Sequence, residues 1–481
     1  MDSSAAESGP AEGEIMSKIS SDCRIDPRLQ AAFGAMPDAP NPGDVPDRRA
    51  LLAEYASEQV RRAFASQSAA FDAMDDETVA PSTGLTVTTE AFASAAGGHE
   101  IRLQVIRPDT REPLPCVYYI HGGAMQFWSC FDGMYRAWGR LMAAQGVAVV
   151  MVDFRNALLP SSVPEVAPYP AGLDDCVEGL CWVREHATRL GIDRERIVVA
   201  GDSGGGNLTL ALGMKLLREG DAGWLGGLYA MCPYIGGQWP NPQHPSSTDN
   251  DGILLELHNN RGAMAYGIEA LQERDPLAWP GFASDADVRG LPPTVILVDE
   301  CDPLRDEGIA FYRLLLRNGV PARCRQSMGT IHGAEIFAAV CPDISRDAAR
   351  DIAAFATSAG NPRPAARPHR PIAAATFGFR ATMTARAGEG DALVELLLGA
   401  TTGTGPATNP KCVLYLVERS PSDRDVVHVT EGWTSKAAHA ANFARAESQA
   451  LVARLAGMVV GEARYEDVVT AGGHVQVGGG R

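Results

Sequence analysis

Ile197-Val198-Val199-Ala200-Gly201-Asp202-Ser203-Gly204-Gly205-Gly206-Asn207-Leu208-Thr209-Leu210-Ala211-Leu212 is the stretch on which the fold turns. The first four residues are an apolar, mostly β-branched run with the character of a buried strand. Residues 207–212 read as the start of a helix. Between them stands a Gly-x-Ser-x-Gly turn. A strand that bends sharply into a helix holds the serine Oγ above the sheet, in backbone that only small flanking residues permit. Turns rich in glycine and serine produce the five-residue pattern by chance. Its meaning therefore depends on what stands before and after it.

A serine hydroxyl is a weak nucleophile at neutral pH and needs a general base oriented by a carboxylate. On a strand–elbow–helix scaffold the chain order is Ser, then Asp or Glu, then His. The chain has ten histidines. His186, His244 and His258 lie before the last strand-like runs. His332, in Gly329-Thr330-Ile331-His332-Gly333-Ala334, follows the run 322–328 and stands where a late loop would present a base. A histidine on a surface loop is the plainer alternative. Two Asp-Pro-Leu sites compete for the carboxylate. Asp302-Pro303-Leu304 follows the strong strand Thr294-Val295-Ile296-Leu297-Val298, whereas Asp275-Pro276-Leu277 has no strand before it. Asp302 is therefore the expected partner. Asp299, Asp306 and Glu307 are expected to cap the next helix or face solvent.

Upstream, His121-Gly122-Gly123-Ala124-Met125 follows the strand-like run 116–120. Two glycines let backbone N–H groups turn toward a developing oxyanion. Gly122, Gly123 and Gly204 are the expected donors. A tight turn after a strand is the alternative.

From about residue 80 to 360 the chain resembles the hormone-sensitive-lipase-like esterases of the α/β-hydrolase fold. The resemblance rests on His121-Gly122-Gly123-Ala124, Asp153-Phe154-Arg155-Asn156-Ala157, Tyr169-Pro170-Ala171-Gly172-Leu173-Asp174-Asp175, Gly201-Asp202-Ser203-Gly204-Gly205-Gly206-Asn207, Asp302-Pro303-Leu304-Arg305-Asp306-Glu307 and His332-Gly333, in that order. It implies an α/β-hydrolase with a helical cap that cleaves carboxylic esters through an acyl-enzyme. Ser203, Asp302 and His332 would form the triad, and no cofactor or metal would take part. Ala124 stands where the family usually has a third glycine, and Gly204 where it usually has alanine. Short to medium acyl esters are expected, with tolerance of bulky alcohols, because Gly122-Gly123-Ala124-Met125 resembles the loop of relatives that accept tertiary-alcohol esters.

The net charge is −17, with −19 on residues 1–360 and a net +2 after them. An acidic surface disfavours nucleic acid and anionic membrane and leaves a small-molecule ester as the expected partner. No apolar run is long enough to cross a bilayer. The first 46 residues are polar and lack the basic start and apolar core of a signal peptide, so they read as a flexible N-terminus. Ten scattered cysteines without a Cys-x-x-Cys pair argue for reduced thiols, no zinc site and a cytoplasmic location.

Residues 47–360 are expected to form the hydrolase, with helical character over 47–74 and an insertion at 236–285 supplying the cap. Phe127, Trp128 and Phe131 either line the acyl or alcohol pocket or pack beneath that cap. Residues 361–370 hold three prolines and three arginines and read as a linker. Residues 371–481 then follow a β-α-β-β-α-β order, which is ferredoxin-like. The stretch Glu431-Gly432-Trp433-Thr434-Ser435-Lys436-Ala437-Ala438-His439 resembles the antibiotic-biosynthesis-monooxygenase family. Trp433, His439, Asn442 and Tyr465 could then line a cavity. Self-association as a homodimer or higher oligomer is the expected role. A bifunctional esterase and cofactor-independent monooxygenase acting on aromatic or polyketide-like compounds is the alternative, and a silent hydrolase fold used only for binding is a third.

Overall fold

The computed structural model describes residues 17–36, 41–95, 97–359, 377–400, 407, 409 and 411–468. Its contacts divide the chain into two compact units, residues 1–365 and 366–481. The expected linker 361–370 lies outside the described residues.

The first unit is built on eight strands: β1 Leu85–Ala93, β2 Glu100–Pro108, β3 Leu114–Ile120, β4 Ala148–Asp153, β5 Ile192–Asp202, β6 Gly227–Met231, β7 Thr294–Asp299 and β8 Ala322–Ser327. Their order is β1-β2-β4-β3-β5-β6-β7-β8. The β1–β2 and β2–β4 pairings are antiparallel, and from β4 to β8 every pairing is parallel. A parallel sheet is covered on both faces, so its central strands carry unbroken apolar runs. Every residue of β4, β6 and β7 is buried. The helices Ala171–Glu185, Gly204–Glu219 and Arg305–Arg317 bury Leu180, Leu212 and Leu314 in one core layer. The helices Gly133–Ala143 and Pro342–Ser358 bury Trp138 and Ile352 in the other. This stacking presents the carboxyl ends of β3, β5, β7 and β8 on one rim.

Three local outcomes differ from the sequence reading. Within the expected flexible N-terminus, 1–16 and 37–40 lie outside the described residues, but 17–36 are folded. Ile19, Ile25, Leu29 and Phe33 are buried there, and Asp26 N–H donates to Gly329 O at 2.8 Å. Four apolar residues spaced through a polar segment were enough to join the core. The helical stretch 47–74 is two helices, Arg48–Tyr55 and Glu58–Asp72. Ser57 breaks it by taking extended backbone and accepting the Val60 N–H, an N-cap. The insertion 236–285 forms short helices with Trp239, Tyr266 and Trp279 buried.

The second unit has the strands β9 Phe377–Thr384, β10 Cys412–Arg419, β11 Val426–Trp433 and β12 Arg464–Val468. They lie in the order β10-β11-β9-β12, antiparallel throughout. The helix Gly390–Gly399 precedes β10, and the helices Lys436–Phe443 and Ala446–Ala456 precede β12. The one helix that the β-α-β-β-α-β order places before the last strand is thus two, broken at Ala444–Arg445, and Ser448 Oγ donates across the break to the Asn442 carbonyl at 2.6 Å. Among the described residues no helix is long and apolar enough to cross a membrane. All ten cysteines are free thiols.

Candidate active site

Ser203 sits between β5 and the helix Gly204–Glu219 with φ 54° and ψ −116°. A non-glycine residue with positive φ is strained, and such strain collects at functional sites. The flanking glycines are there because nothing larger fits. A Cβ on Gly201 would stand 2.4 Å from Gly205 O, and one on Gly205 would stand 1.9 Å from Ile120 O. The elbow is pinned from both sides, with Ser203 N–H donating to Met231 O at 2.9 Å and Tyr234 N–H to Ser203 O at 3.0 Å.

His332 Nε2 lies 2.9 Å from Ser203 Oγ, and its Nδ1 lies 2.9 Å from Asp302 Oδ2. The structure thus brings together the serine, imidazole and carboxylate singled out by their order in the chain. Burial lowers the His332 pKa, but the Asp302 charge and hydrogen bond outweigh it and hold the imidazole above its ordinary 6.5. Asp302 is fully buried, and its Oδ1 accepts the Leu304 N–H at 2.9 Å. Asp275 makes the same turn, accepting the Leu277 N–H at 2.9 Å, which is why the two Asp-Pro-Leu sites read alike. Its other oxygen takes the Tyr169 hydroxyl at 2.7 Å, and it has no part in the serine–histidine pair.

The glycine loop needs one correction. Gly122 N–H donates to Tyr135 Oη at 2.8 Å and is not free for substrate. Gly122 is a glycine for another reason: a Cβ there would lie 2.3 Å from Asp202 Oδ2. Gly123, Ala124 and Met125 all have positive φ, at 90°, 52° and 59°. The N–H groups of Gly123, Ala124 and Gly204 donate no hydrogen bond to any described residue. Gly204 also packs closely against this loop, since a Cβ on it would stand 2.8 Å from Ala124 N and 2.6 Å from Met125 N.

Several groups around the site have no motif to announce them. Asp202 is buried, accepts the Tyr119 hydroxyl at 2.7 Å and the Tyr135 hydroxyl at 3.0 Å, and is pushed by burial up to about 6. Through Tyr135 it holds the glycine loop. His121 is fully buried, stacks on Phe154 at 4.3 Å and bonds Gly122 O through Nδ1 at 2.9 Å, so it supports the loop from behind. Glu307 and Asp299, expected as caps or solvated groups, are both buried. Glu307 accepts Ile235 N–H, Gly236 N–H and Trp239 Nε1–H at 2.7, 3.0 and 2.8 Å, and burial pushes it up to about 8. It ties the start of the insertion to the helix that follows Asp302. Above the loop, Phe127 meets Phe64 at 5.5 Å and Trp128 meets Phe71 at 5.4 Å. These rings pack under the helix Glu58–Asp72. A signal for the buried acids did exist in the apolar residues around them, but charge alone reads as surface.

In the second unit, His439, Asn442 and Tyr465 line a cavity of about 570 Å³ that is otherwise mainly apolar. His439 lies 4.9 Å from the Phe379 ring and 5.5 Å from the Trp433 ring. Its Nε2 is 3.7 Å from Glu431, which accepts the Trp433 indole N–H at 2.7 Å. Burial moves Glu431 up and His439 down, so both favour their neutral forms.

The profile of the alpha/beta hydrolase fold family matches residues 117–336. Carboxylesterase NlhH of Mycobacterium tuberculosis is 35% identical over 258 residues, which are 52% of this chain and 75% of that protein. Among solved structures, esterase Est22 is similar with a TM-score of 0.69 and 59% identity, covering 71% of this chain and 99% of that one. Brefeldin A esterase, described as a bacterial homologue of human hormone-sensitive lipase, gives 0.62 and 36%, covering 71% and 96%. At these identities, over most of each relative's length, this chain belongs to the hormone-sensitive-lipase-like carboxylesterases of the α/β-hydrolase fold, serine hydrolases that cleave carboxylic esters.

Proposed function

We propose that Ser203, His332 and Asp302 carry the ester hydrolysis and that the N–H groups of Gly123, Ala124 and Gly204 bind the oxyanion. The unbroken line from Ser203 Oγ to His332 Nε2 and from Nδ1 to Asp302, 2.9 Å at each step, supports this reading most directly. His332 Nε2 takes the hydroxyl proton as Ser203 Oγ attacks the ester carbonyl. Asp302 keeps the imidazole in the right tautomer and stabilises its cation. Negative charge gathers on the carbonyl oxygen, where preorganised N–H donors are worth most. The intermediate collapses, His332 returns its proton to the alcohol, and the acyl group stays on Ser203. Water, deprotonated by the same imidazole, then frees the acid. Rates of p-nitrophenyl ester hydrolysis by Ser203→Ala test the assignment. A folded variant that loses about 10⁴- to 10⁶-fold in kcat supports it, and one with most of its activity refutes it.

Short to medium acyl esters are the proposed substrates. The ring pairs Phe64–Phe127 and Phe71–Trp128, on and beside the segment that follows the loop, support this reading as a wall against long acyl chains. Best rates on long-chain triglyceride emulsions would contradict this.

We further propose that the second unit is a ferredoxin-like domain akin to the antibiotic-biosynthesis-monooxygenase family and that it mediates self-association. Its first strand pairs with the third and fourth, and its second lies outermost. Leu416, on an edge strand, is 39% exposed. A second copy would cover such a surface with the same patch on both chains. Free thiols throughout agree with a reducing compartment, and the cytoplasm is the proposed location.

A further inference from the structure

The loop that carries His332 is fastened from below by two acids. Asp299 closes β7 three residues before Asp302 and is fully buried. Its Oδ1 accepts the Thr330 hydroxyl at 2.6 Å, and its Oδ2 accepts the Gly333 N–H at 3.0 Å. These partners stand on either side of His332. Glu335, also buried, accepts the Ser327 hydroxyl through Oε1 at 2.8 Å. Its Oε2 is buried and meets no N–H or O–H donor. The Glu335 carboxyl stands beside the Asp299 carboxyl, and the two interact electrostatically. Two buried carboxyls side by side cannot both ionise, and a single proton between them would also satisfy the unpartnered Glu335 Oε2.

We propose that Asp299 and Glu335 share one proton and act as positioning residues for His332, the protonated pair locking loop 327–335 against β7. Loss of that proton to hydroxide in alkaline solution leaves two buried charges side by side and lets the loop move.

The surroundings favour the protonated pair. Among the described residues no lysine or arginine forms an ion pair with either acid. The titratable groups that face them are Asp302, His332, Cys232 and Cys341. Only His332 can offer a positive charge. Burial is the largest cause raising both acids, and the Glu335 charge raises Asp299 further, so protons leave the pair as a unit. With raised values, the contribution to loop order is complete in acid and is lost as pH rises through the pair's own titration. The rest of the loop stays anchored. Glu300 N–H donates to Ser327 O at 3.0 Å, Cys301 N–H to Thr330 O at 2.9 Å, and Gly329 N–H to Glu300 Oε2 at 2.7 Å. The effect should therefore fall on His332 geometry and kcat, with the fold intact.

The proposal rests on His332 being the base, and its test separates the two. kcat and KM for p-nitrophenyl butyrate are measured against pH for the full chain, Glu335→Gln and Glu335→Ala. Glu335→Gln supplies a permanent donor to Asp299. It should keep kcat within about threefold of the parent near neutrality and extend the plateau to higher pH, whereas Glu335→Ala should lose about tenfold in kcat with KM within about twofold. An alkaline limb in Glu335→Gln identical to the parent's overturns the proposal, as does Glu335→Ala with the parent's kcat at every pH. An infrared difference spectrum, parent minus Glu335→Gln at neutral pH, should show the carbonyl band of a protonated carboxylic acid. Its absence overturns the proposal even if Glu335→Ala does not fold. Residual activity in Ser203→Ala would instead refute the triad and leave the infrared result standing.

Discussion

Single atoms decide most of what this site can do. Gly204 tolerates little, since a Cβ there would stand 2.6 Å from Met125 N. Gly204→Ala should push the glycine loop off the elbow and cost about 10²-fold in kcat, the scale of losing one oxyanion donor, with a smaller change in KM. Steady-state kinetics with a p-nitrophenyl ester read this split. Asp302→Asn should cost about 10⁴-fold by fixing the wrong imidazole tautomer, while Asp275→Asn should stay close to the parent. Inactivity of the Asp275 variant alone would contradict the assignment. The pH dependence follows from His332. The imidazole must be neutral to accept the serine proton, and Asp302 holds its pKa above 6.5. kcat/KM should therefore rise with pH through an acid limb centred above 6.5. In stability the sign is opposite: the His332 cation paired with Asp302 helps the fold in acid, and that help fades as pH climbs through the raised value. At this scale the convergence of Ser203, His332 and Asp302 was legible in the sequence, because each closes a strand or opens a loop in a fixed chain order. Gly122 was misassigned because a linear motif does not show which way an N–H points. Asp202, Asp299 and Glu335 were illegible as buried groups because a charged letter normally marks the surface.

At the scale of elements, the strand–elbow–helix and the parallel strands were readable because a sheet covered on both faces needs continuous apolar runs. Breaks within helices were harder. One stretch breaks at Ser57 and another at Ala444–Arg445, with apolar spacing continuing across both; the hydrogen bonds of Ser57 and Ser448 mark the breaks. The folded segment 17–36 was hidden by the polar residues around Ile19, Ile25, Leu29 and Phe33. The insertion is held at its start by Glu307, whose three bonds all run to Ile235, Gly236 and Trp239. Glu307→Gln sets an NH₂ against one of those donors. It should lower stability by about 1–3 kcal/mol, seen as a lower Tm and faster proteolysis within residues 236–285. An unchanged Tm would show that the insertion is anchored elsewhere.

For the whole molecule, the boundary near residue 365 separates two units with their own cores. Residues 1–360 should then fold alone and keep the esterase activity. Light scattering should find the full chain larger in oligomeric state than this fragment. A monomeric full chain would remove self-association as the role of the second unit. The division itself was legible from the cluster of prolines and arginines at 361–370, although those residues lie outside the described part.

In the proposed mechanism Ser203 is acylated. The most direct measurement is rapid mixing of the full chain with a p-nitrophenyl ester, followed by acid quench and peptide mass mapping. The account predicts a p-nitrophenol burst of about one equivalent per chain, an acyl group on the peptide bearing Ser203, and neither signal in Ser203→Ala. Acylation of any other residue, or a burst that survives Ser203→Ala, would contradict it.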